Sequence, residues 1–232
     1  MTNFEATLLA VDTCTEACSV ALTVYGKVYT EEVDAPREHS QRLLPMIDTL
    51  LTKAGITIKD VDGIVYGRGP GSFTGIRICT SMVQGLALGQ NIPVYGVSTL
   101  DAMAQQAADA GVTQIMTAID ARMGEVYWAQ YLVNNNVVNR ISDENVSAPD
   151  QIDSKLNNNQ EVVVCGTGFD TYPELLSVFS FVAVNNECKF PKAEAMLKLA
   201  IAAWNSNLFT TVDELKPVYV RDKVTWKKLP GR

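Results

Sequence analysis

LLAVDTCTEACSVALTVYGKVYTEEV, residues 8–33, sets the fold of this 232-residue chain. The apolar run from Leu8 to Val11 ends on Asp12, a small polar turn follows, and CSVALTVY makes a second apolar run. Gly26 and Lys27 then turn the chain into VYTEEV, since a glycine at the first central position suits a two-residue hairpin loop. Three antiparallel strands are expected. Beyond Pro36, residues 38–54 place Leu43, Leu44, Ile47, Leu50, Leu51 and Ala54 at helical spacing, with Pro45 as a kink in the first turns. A strand at 61–66, a helix from Phe73 to Gly89, a strand at 93–97 and a helix from Thr99 toward Ala110 complete the first half.

The order then begins again. IMTAI at 115–119 ends on Asp120, ARMG turns, EVYWAQYLV forms the next strand, and VVNRIS returns after Asn134–Asn136. Helix-compatible segments at 149–158, 171–178 and 193–206 alternate with strands at 161–165 and 181–184, with a turn at Gly166–Gly168. Both halves read β-β-β-α-β-α-β-α, and internal duplication is the simplest account. The expected division is an N-terminal subdomain at 1–110, a C-terminal subdomain at 111–215 and a basic tail at 216–232.

Bulk composition narrows the function. A 47% hydrophobic content with 19% charged residues suits a sizeable core. The N-terminus has no positively charged region before its apolar run, and no apolar stretch approaches the roughly 18 residues of a membrane span. The expectation is a cytoplasmic protein with no membrane association. A net charge of −7 opposes a broad grip on nucleic acid. Residues 221–232, RDKVTWKKLPGR, are locally basic and read first as a solvated tail, second as an arm helping a partner hold RNA. The five cysteines sit mostly in apolar runs, as buried free thiols do.

GRGPGSFTGIR, residues 67–77, has the composition of a phosphate loop but neither nucleotide fingerprint. A P-loop carries Lys and then Ser or Thr after its last glycine, whereas Ile76 follows Gly75 here. G-x-G-x-x-G fails at Ser72 and at Thr74. The order of expectation is therefore structural connector, then partner contact, then an anion or nucleotide contact involving Asp12, Gly69, Gly71, Ser72 and Asp120. The helix that follows carries one charged residue, Arg77, so it is either buried all round or offers an apolar face to another chain.

Duplicated units of this kind are the architecture of the actin-like ATPase (ribonuclease H-like) superfamily, in which each half supplies an acidic residue on its first strand. Asp12 and Asp120 hold those positions. LAVDTCTEACSVAL (9–22), APREHSQRLLPMIDTLL (35–51), GRGPGSFTGIR (67–77), GVSTLDAMAQQA (96–107) and IDARMGEVYWAQY (119–131) together resemble the bacterial TsaB (YeaZ) family of tRNA threonylcarbamoyladenosine biosynthesis proteins. The resemblance extends into PVYVRDKVTWKKLPGR, with one departure, Cys79 where a glycine is expected.

That resemblance implies a non-catalytic subunit of the tRNA threonylcarbamoyladenosine (t6A) machinery. It would bind the catalytic paralogue TsaD, be joined by the small ATPase TsaE, meet tRNA through the complex, and form a homodimer alone. The implied partner surface lies on the helices at 38–54 and 73–89, with Leu43, Met46, Ile47, Leu50, Gly75, Cys79, Met82 and Leu86 as candidate contacts. No catalytic residue, metal or cofactor is expected. The active paralogue holds a metal with H-x-x-x-H, and this chain has one histidine, His39, expected to be exposed or capping. Two further readings are an independent ATP-dependent phosphotransferase using Asp12, Asp120 and the glycine loop, and a metallopeptidase, which the single histidine disfavours.

Overall fold

The computed structural model describes residues 4–108 and 112–221. Strand β1 (Leu8–Asp12) is buried at every position because it runs through the middle of a five-stranded sheet. β2 (Ala17–Val24) flanks it antiparallel, pairs in turn with β3 (Lys27–Asp34), and β4 (Gly63–Gly67) lies parallel on its other side, followed by β5 (Val94–Val97). The hairpin turn falls one residue earlier than expected. Val24 pairs with Lys27, leaving Tyr25 and Gly26 as the two central residues, both at positive φ, 50° and 77°. That pair of left-handed residues matches a type I′ turn, whose twist suits the flanking strands.

Alternate residues of β1 serve two layers. Leu9 and Val11 pack with α1 (His39–Ala54) and α2 (Phe73–Gln90), while Leu8 and Ala10 face the other side of the sheet. α1 continues through Pro45 as one helix. α3 (Thr99–Ala108) is buried almost all round because it lies between the sheets, with Leu100, Met103, Ala104 and Ala107 joining the second sheet's core.

The second sheet is built on β6 (Gln114–Arg122), β7 (Glu125–Asn134), β8 (Val137–Arg140), a short β9 (Asn145–Ser147) paired to β7, β10 (Val162–Cys165) and β11 (Val182–Val184). Its order, β11-β10-β6-β7-β8, repeats β5-β4-β1-β2-β3 strand for strand. The fold is a duplicated α/β unit of the actin-like, ribonuclease H-like type.

The duplication is imperfect in its helices. Residues 149–158, expected as a helix, give only a 3-10 turn at Pro149–Gln151. Two buried side-chain amides hold the rest away from helical geometry. Gln130 donates to Asp153 O at 2.9 Å and accepts from Lys155 N at 2.7 Å, and Gln114 accepts from Asn157 N at 2.7 Å. Backbone groups held by side chains cannot close i to i−4 bonds. Where a turn was expected at 166–168 and a helix at 171–178, α4 (Thr167–Thr171) starts early and Pro173 leads only a 3-10 segment, Pro173–Val178. α5 (Ala193–Asn205) belongs to the second half in sequence, yet Met196, Leu197 and Ala200 pack with Leu8, Ala10 and Val65 of the first sheet. The first lobe in space therefore includes α5, and the expected boundary at 110/111 separates the sheets but not their helices. Residues 109–111 and the tail from 222 onward lie outside the described residues.

The lobes meet through a polar network as well as α3. Arg68, just after β4, places Nη2 at 2.9 and 3.0 Å from both carboxylate oxygens of Glu144 in the second lobe. Arg140 bridges Glu144 to Asp101 of α3, at 2.9 and 3.2 Å, and Asp101 accepts from the buried Tyr131 hydroxyl at 2.9 Å.

Three glycines seat the β4–α2 connection on the turn after β1. A Cβ at Gly67 would stand 1.9 Å from Asp12 Oδ2, at Gly71 2.1 Å from Cys14 O, and at Gly75 2.0 Å from Thr13 O. At Gly75 the obstacle is a backbone carbonyl that cannot swing aside. Gly75→Ala is expected to lower stability by about 2–3 kcal/mol, the upper part of the overpacking range, despite alanine's better helix propensity. Urea denaturation measures this, and an unchanged or raised midpoint contradicts the seating.

Candidate functional site

The ends of β1 and β6 open onto a cleft between the lobes, of about 860 Å³. Its walls are the β1–β2 turn, the glycine loop at Pro70–Phe73, the N-terminus of α1, the end of β6 at Ile119–Arg122, and the segment Val218–Arg221. Asp120 lines this cleft, whereas Asp12 does not, although its neighbour Cys14 does.

Neither aspartate presents a free carboxylate there. Asp12 is 1% exposed, and its Oδ1 accepts the Cys14 amide at 2.9 Å. Its Oδ2 has no hydrogen-bond partner and is covered by Gly67. Burial pushes its pKa up to about 7, against the opposing Cys14 amide bond. Asp120 is engaged from two sides: Arg122 reaches it with its backbone N–H at 2.8 Å and Nη1 at 2.9 Å, and the Tyr172 hydroxyl donates to its Oδ1 at 3.4 Å. The same guanidinium extends Nη2 to Glu16 in the first lobe at 3.0 Å. Arg122 thus neutralises Asp120 and links it to the first lobe through Glu16.

The loop's polar groups also turn inward. Ser72 N donates to Cys14 O at 2.7 Å, and Ser72 Oγ caps α2 by accepting from Gly75 N at 3.3 Å. Gly69 O accepts from Thr99 N at 3.0 Å. The connector geometry is what these bonds describe.

His39 departs from expectation. It is 8% exposed, lines the cleft, and its Nε2 has no partner. Arg37, at φ 71°, turns the chain so that the first residue of α1 faces inward. Thr15, also buried in the cleft wall, leaves its hydroxyl oxygen unpartnered. Among the described residues no three His, Cys, Asp or Glu side chains come together as a metal site. All five cysteines are buried free thiols. Hydrogen bonding with Cys79 and burial push the Cys14 thiol up, and burial pushes Cys18 up to about 12, so both are held as poor nucleophiles.

The second feature is the outer side of α1 and α2. Of the eight residues expected to meet a partner, Leu43, Met46, Ile47, Leu50, Gly75 and Cys79 are buried in the chain's own core, which corrects that expectation for them. Cys79 points its Sγ at Val11 O, 3.5 Å away, so the departure at this position is absorbed against β1 and not at the surface. Met82 and Leu86 are half-buried at the margin. The outward row is instead Phe73, Thr74, Arg77, Ser81, Gln84, Gly85, Leu88 and Gly89, with Leu44 exposed on α1. Phe73 is 55% and Leu88 65% exposed, and a Cβ at Gly85 or Gly89 would meet nothing within 4 Å. Helical spacing in the sequence located both helices, but it cannot say which side of the almost uncharged α2 faces the sheet. Arg122, Glu16 and Arg221 were missed, since each lies at a strand end, in a turn or in the tail, and the contacts that join Arg122 to Glu16 and Arg221 to the end of β6 form only across the cleft.

Comparison with known proteins follows the same lines. The tRNA threonylcarbamoyladenosine biosynthesis protein TsaB of Escherichia coli strain K12 is 44% identical over 97% of this chain and 99% of its own length. The chain belongs to the TsaB family. TsaB of Haemophilus influenzae is 41% identical over 97% of the chain and 98% of its own. The solved structure of YeaZ from Pseudomonas aeruginosa superposes with a TM-score of 0.87 at 40% identity, over 92% of this chain and 99% of that one. Residues 26–227 also match the family model described as TsaD: tRNA N6-adenosine threonylcarbamoyltransferase. The role of the chain lies in t6A biosynthesis. Among the described residues no helix is long and apolar enough to cross a membrane.

The buried carboxyl gives a pH signature. Asp12 has its pKa raised from 3.8 to about 7 in the folded chain, so between those values the folded state holds a proton the unfolded state has lost. Its contribution to stability is complete below about pH 4 and is lost as pH rises to about 7. Relative to Asp12→Asn, the native chain should lose roughly 4 kcal/mol of stability across that window. Denaturant titrations of both proteins from pH 4 to 8 measure it, and parallel curves contradict a buried, protonated Asp12.

Proposed function

We propose that the chain is a non-catalytic subunit that binds the catalytic paralogue TsaD through the outer face of α2 and adjoining α1, and so supports threonylcarbamoyl transfer to tRNA. The observation that carries this reading is the outward row of α2. One side of the helix is fixed to β1, while the other sets Phe73 and Leu88 in solvent beside Ser81, Gly85 and Gly89. Small residues between apolar ones let a second helix approach closely, and the near absence of charge suits the centre of an interface. The same face serves the homodimer when TsaD is absent, and the TsaE ATPase and tRNA are met through the assembled complex.

The engagement of Asp120 by Arg122 and the burial of Asp12 support a role without chemistry of its own. An independent ATP-dependent phosphotransferase has the inter-lobe cleft in its favour but would need both carboxylates freed.

Two substitutions separate a contact face from a merely exposed one. Gly85→Ala should stabilise the isolated chain by about 0.5–1 kcal/mol, since alanine is the better helix residue and its methyl meets open space. It should nevertheless weaken association with TsaD at least several-fold. Leu88→Glu should abolish association without lowering the unfolding midpoint. Calorimetric titration and thermal denaturation read the two effects, and unchanged affinity in both variants sinks the interface.

A further inference from the structure

The segment after the last 3-10 turn is not a loose tail. Lys216 N donates to the Tyr66 hydroxyl at 3.1 Å, and Val218 N donates to Arg68 O at 2.7 Å, so it is fastened to the first lobe beside β4. Tyr219 stacks at a tilt on Phe73, 5.4 Å between ring centres, and accepts from Arg77 Nε at 3.4 Å. The segment then crosses the cleft. Arg221 donates to Ala121 O at 2.9 Å and Arg122 O at 3.3 Å, pairs with Glu125, and lies over the Tyr127 ring. Its side chain is only 15% exposed, unlike a solvated tail residue.

We propose that residues 216–221 are a clasp that sets how far the cleft between the lobes opens, and that Tyr219 ties this clasp to the N-terminal end of α2. Three of the polar ties between the lobes border this cleft or its floor, and they differ in how easily they release. The Arg68–Glu144–Arg140–Asp101 network is the inner one: Arg68 and Glu144 side chains are 19% and 9% exposed, and Glu144 is held by two arginines. Breaking such a pair leaves a charge unpaired in the interior. The Arg122–Glu16 pair is exposed at 73% and 42%, and is a weak restraint. Arg221 lies between these extremes.

Its two carbonyl acceptors belong to the end of β6, the stretch that carries Asp120 and Arg122. Release of Arg221 frees that stretch, while the inner network stays as the pivot. Arg68 joins the two, since its backbone carbonyl holds Val218 and its side chain holds Glu144.

The tie to α2 gives the clasp a second handle. Phe73 contacts both Tyr219 and Arg77, with the Arg77 guanidinium 3.8 Å from the Phe73 ring centre. Both belong to the outer row of α2. A partner seated on that row would touch Phe73 and Arg77 and, through them, move Tyr219; this consequence rests on the interface proposed above, whereas the clasp itself does not.

Hydrogen exchange of the full isolated chain, followed by mass spectrometry, tests the clasp without any partner. Arg221→Ala and Tyr219→Ala should each raise exchange about tenfold in peptides covering residues 69–75 and 119–125, with β6 residues 114–118 and α3 unchanged. Arg221→Lys, which keeps the charge facing Glu125 but loses the forked donation to two carbonyls, should fall between. Faster exchange confined to 216–221 in both alanine variants overturns the clasp. Loosening at 119–125 in Arg221→Ala but not in Tyr219→Ala overturns the tie to α2. If Arg221→Ala exchanges uniformly fast because it unfolds, Arg221→Lys decides by the same criteria. Failure here leaves the binding proposal untouched, since that is read from association with TsaD.

Discussion

Everything in the first lobe is arranged around the contact between the glycine loop and the turn after β1. Backbone at Gly67, Gly71 and Gly75 comes so near residues 12–14 that any side chain would overlap an oxygen at about 2 Å. This fixes where α2 starts, and the Ser72 cap and the Ser72–Cys14 bond fix its direction. With its start held, α2 turns Ile76, Cys79, Val83 and Ala87 toward the sheet. Among the described residues, Ser81, Gln84, Gly85, Leu88 and Gly89 on its other side stay exposed. The second lobe repeats the device, with Gly166 and Gly168 pressed on Ala118 near the end of β6.

The same closeness buries or pairs polar groups at the opening. Asp12 is sealed behind Gly67, and the amide of Ser72 is spent on Cys14 O instead of a ligand. Across the cleft, Arg122 occupies Asp120 and reaches Glu16, and Arg221 grips the carbonyls of the end of β6. In an acidic protein of net charge −7, arginines at this opening are used to join the lobes. A cleft whose carboxylates are buried or paired, next to a helix with an exposed, nearly uncharged row, is what supports the proposal of a subunit acting through its surface. That contrast is the physical content of the proposed role in t6A formation.

Much of this was legible in the sequence. Apolar runs ending at Asp12 and Asp120 located both central strands, and the repeated order of segments pointed to two mixed-sheet units, which the structure shows as sheets of the same strand order. What escaped was set by tertiary contacts. The segment 149–158 has helix-compatible spacing, but Gln114 and Gln130, more than twenty residues away, hold its backbone. α5 follows the second sheet in sequence yet completes the first. Leu43, Leu50 and Cys79 sit on the expected helices but on their inner sides: on α1 the exposed Gln41, Arg42, Asp48 and Lys53 mark the outer side, whereas α2 has almost no charge by which periodicity could choose one. His39 looked like a surface residue until the positive φ at Arg37 turned it into the cleft.

The most direct test of the central claim, that this chain contributes surface and not chemistry, removes both first-strand carboxylates and leaves the α2 face intact. The Asp12→Asn, Asp120→Asn double variant would be mixed with TsaD, TsaE, tRNA and the activated threonylcarbamoyl donor, with complex formation followed by light scattering and modified adenosine by mass spectrometry. The account predicts an intact complex and a modification rate within a few-fold of the native one. An intact complex with modification lost by orders of magnitude would contradict it and return the carboxylates to the reaction.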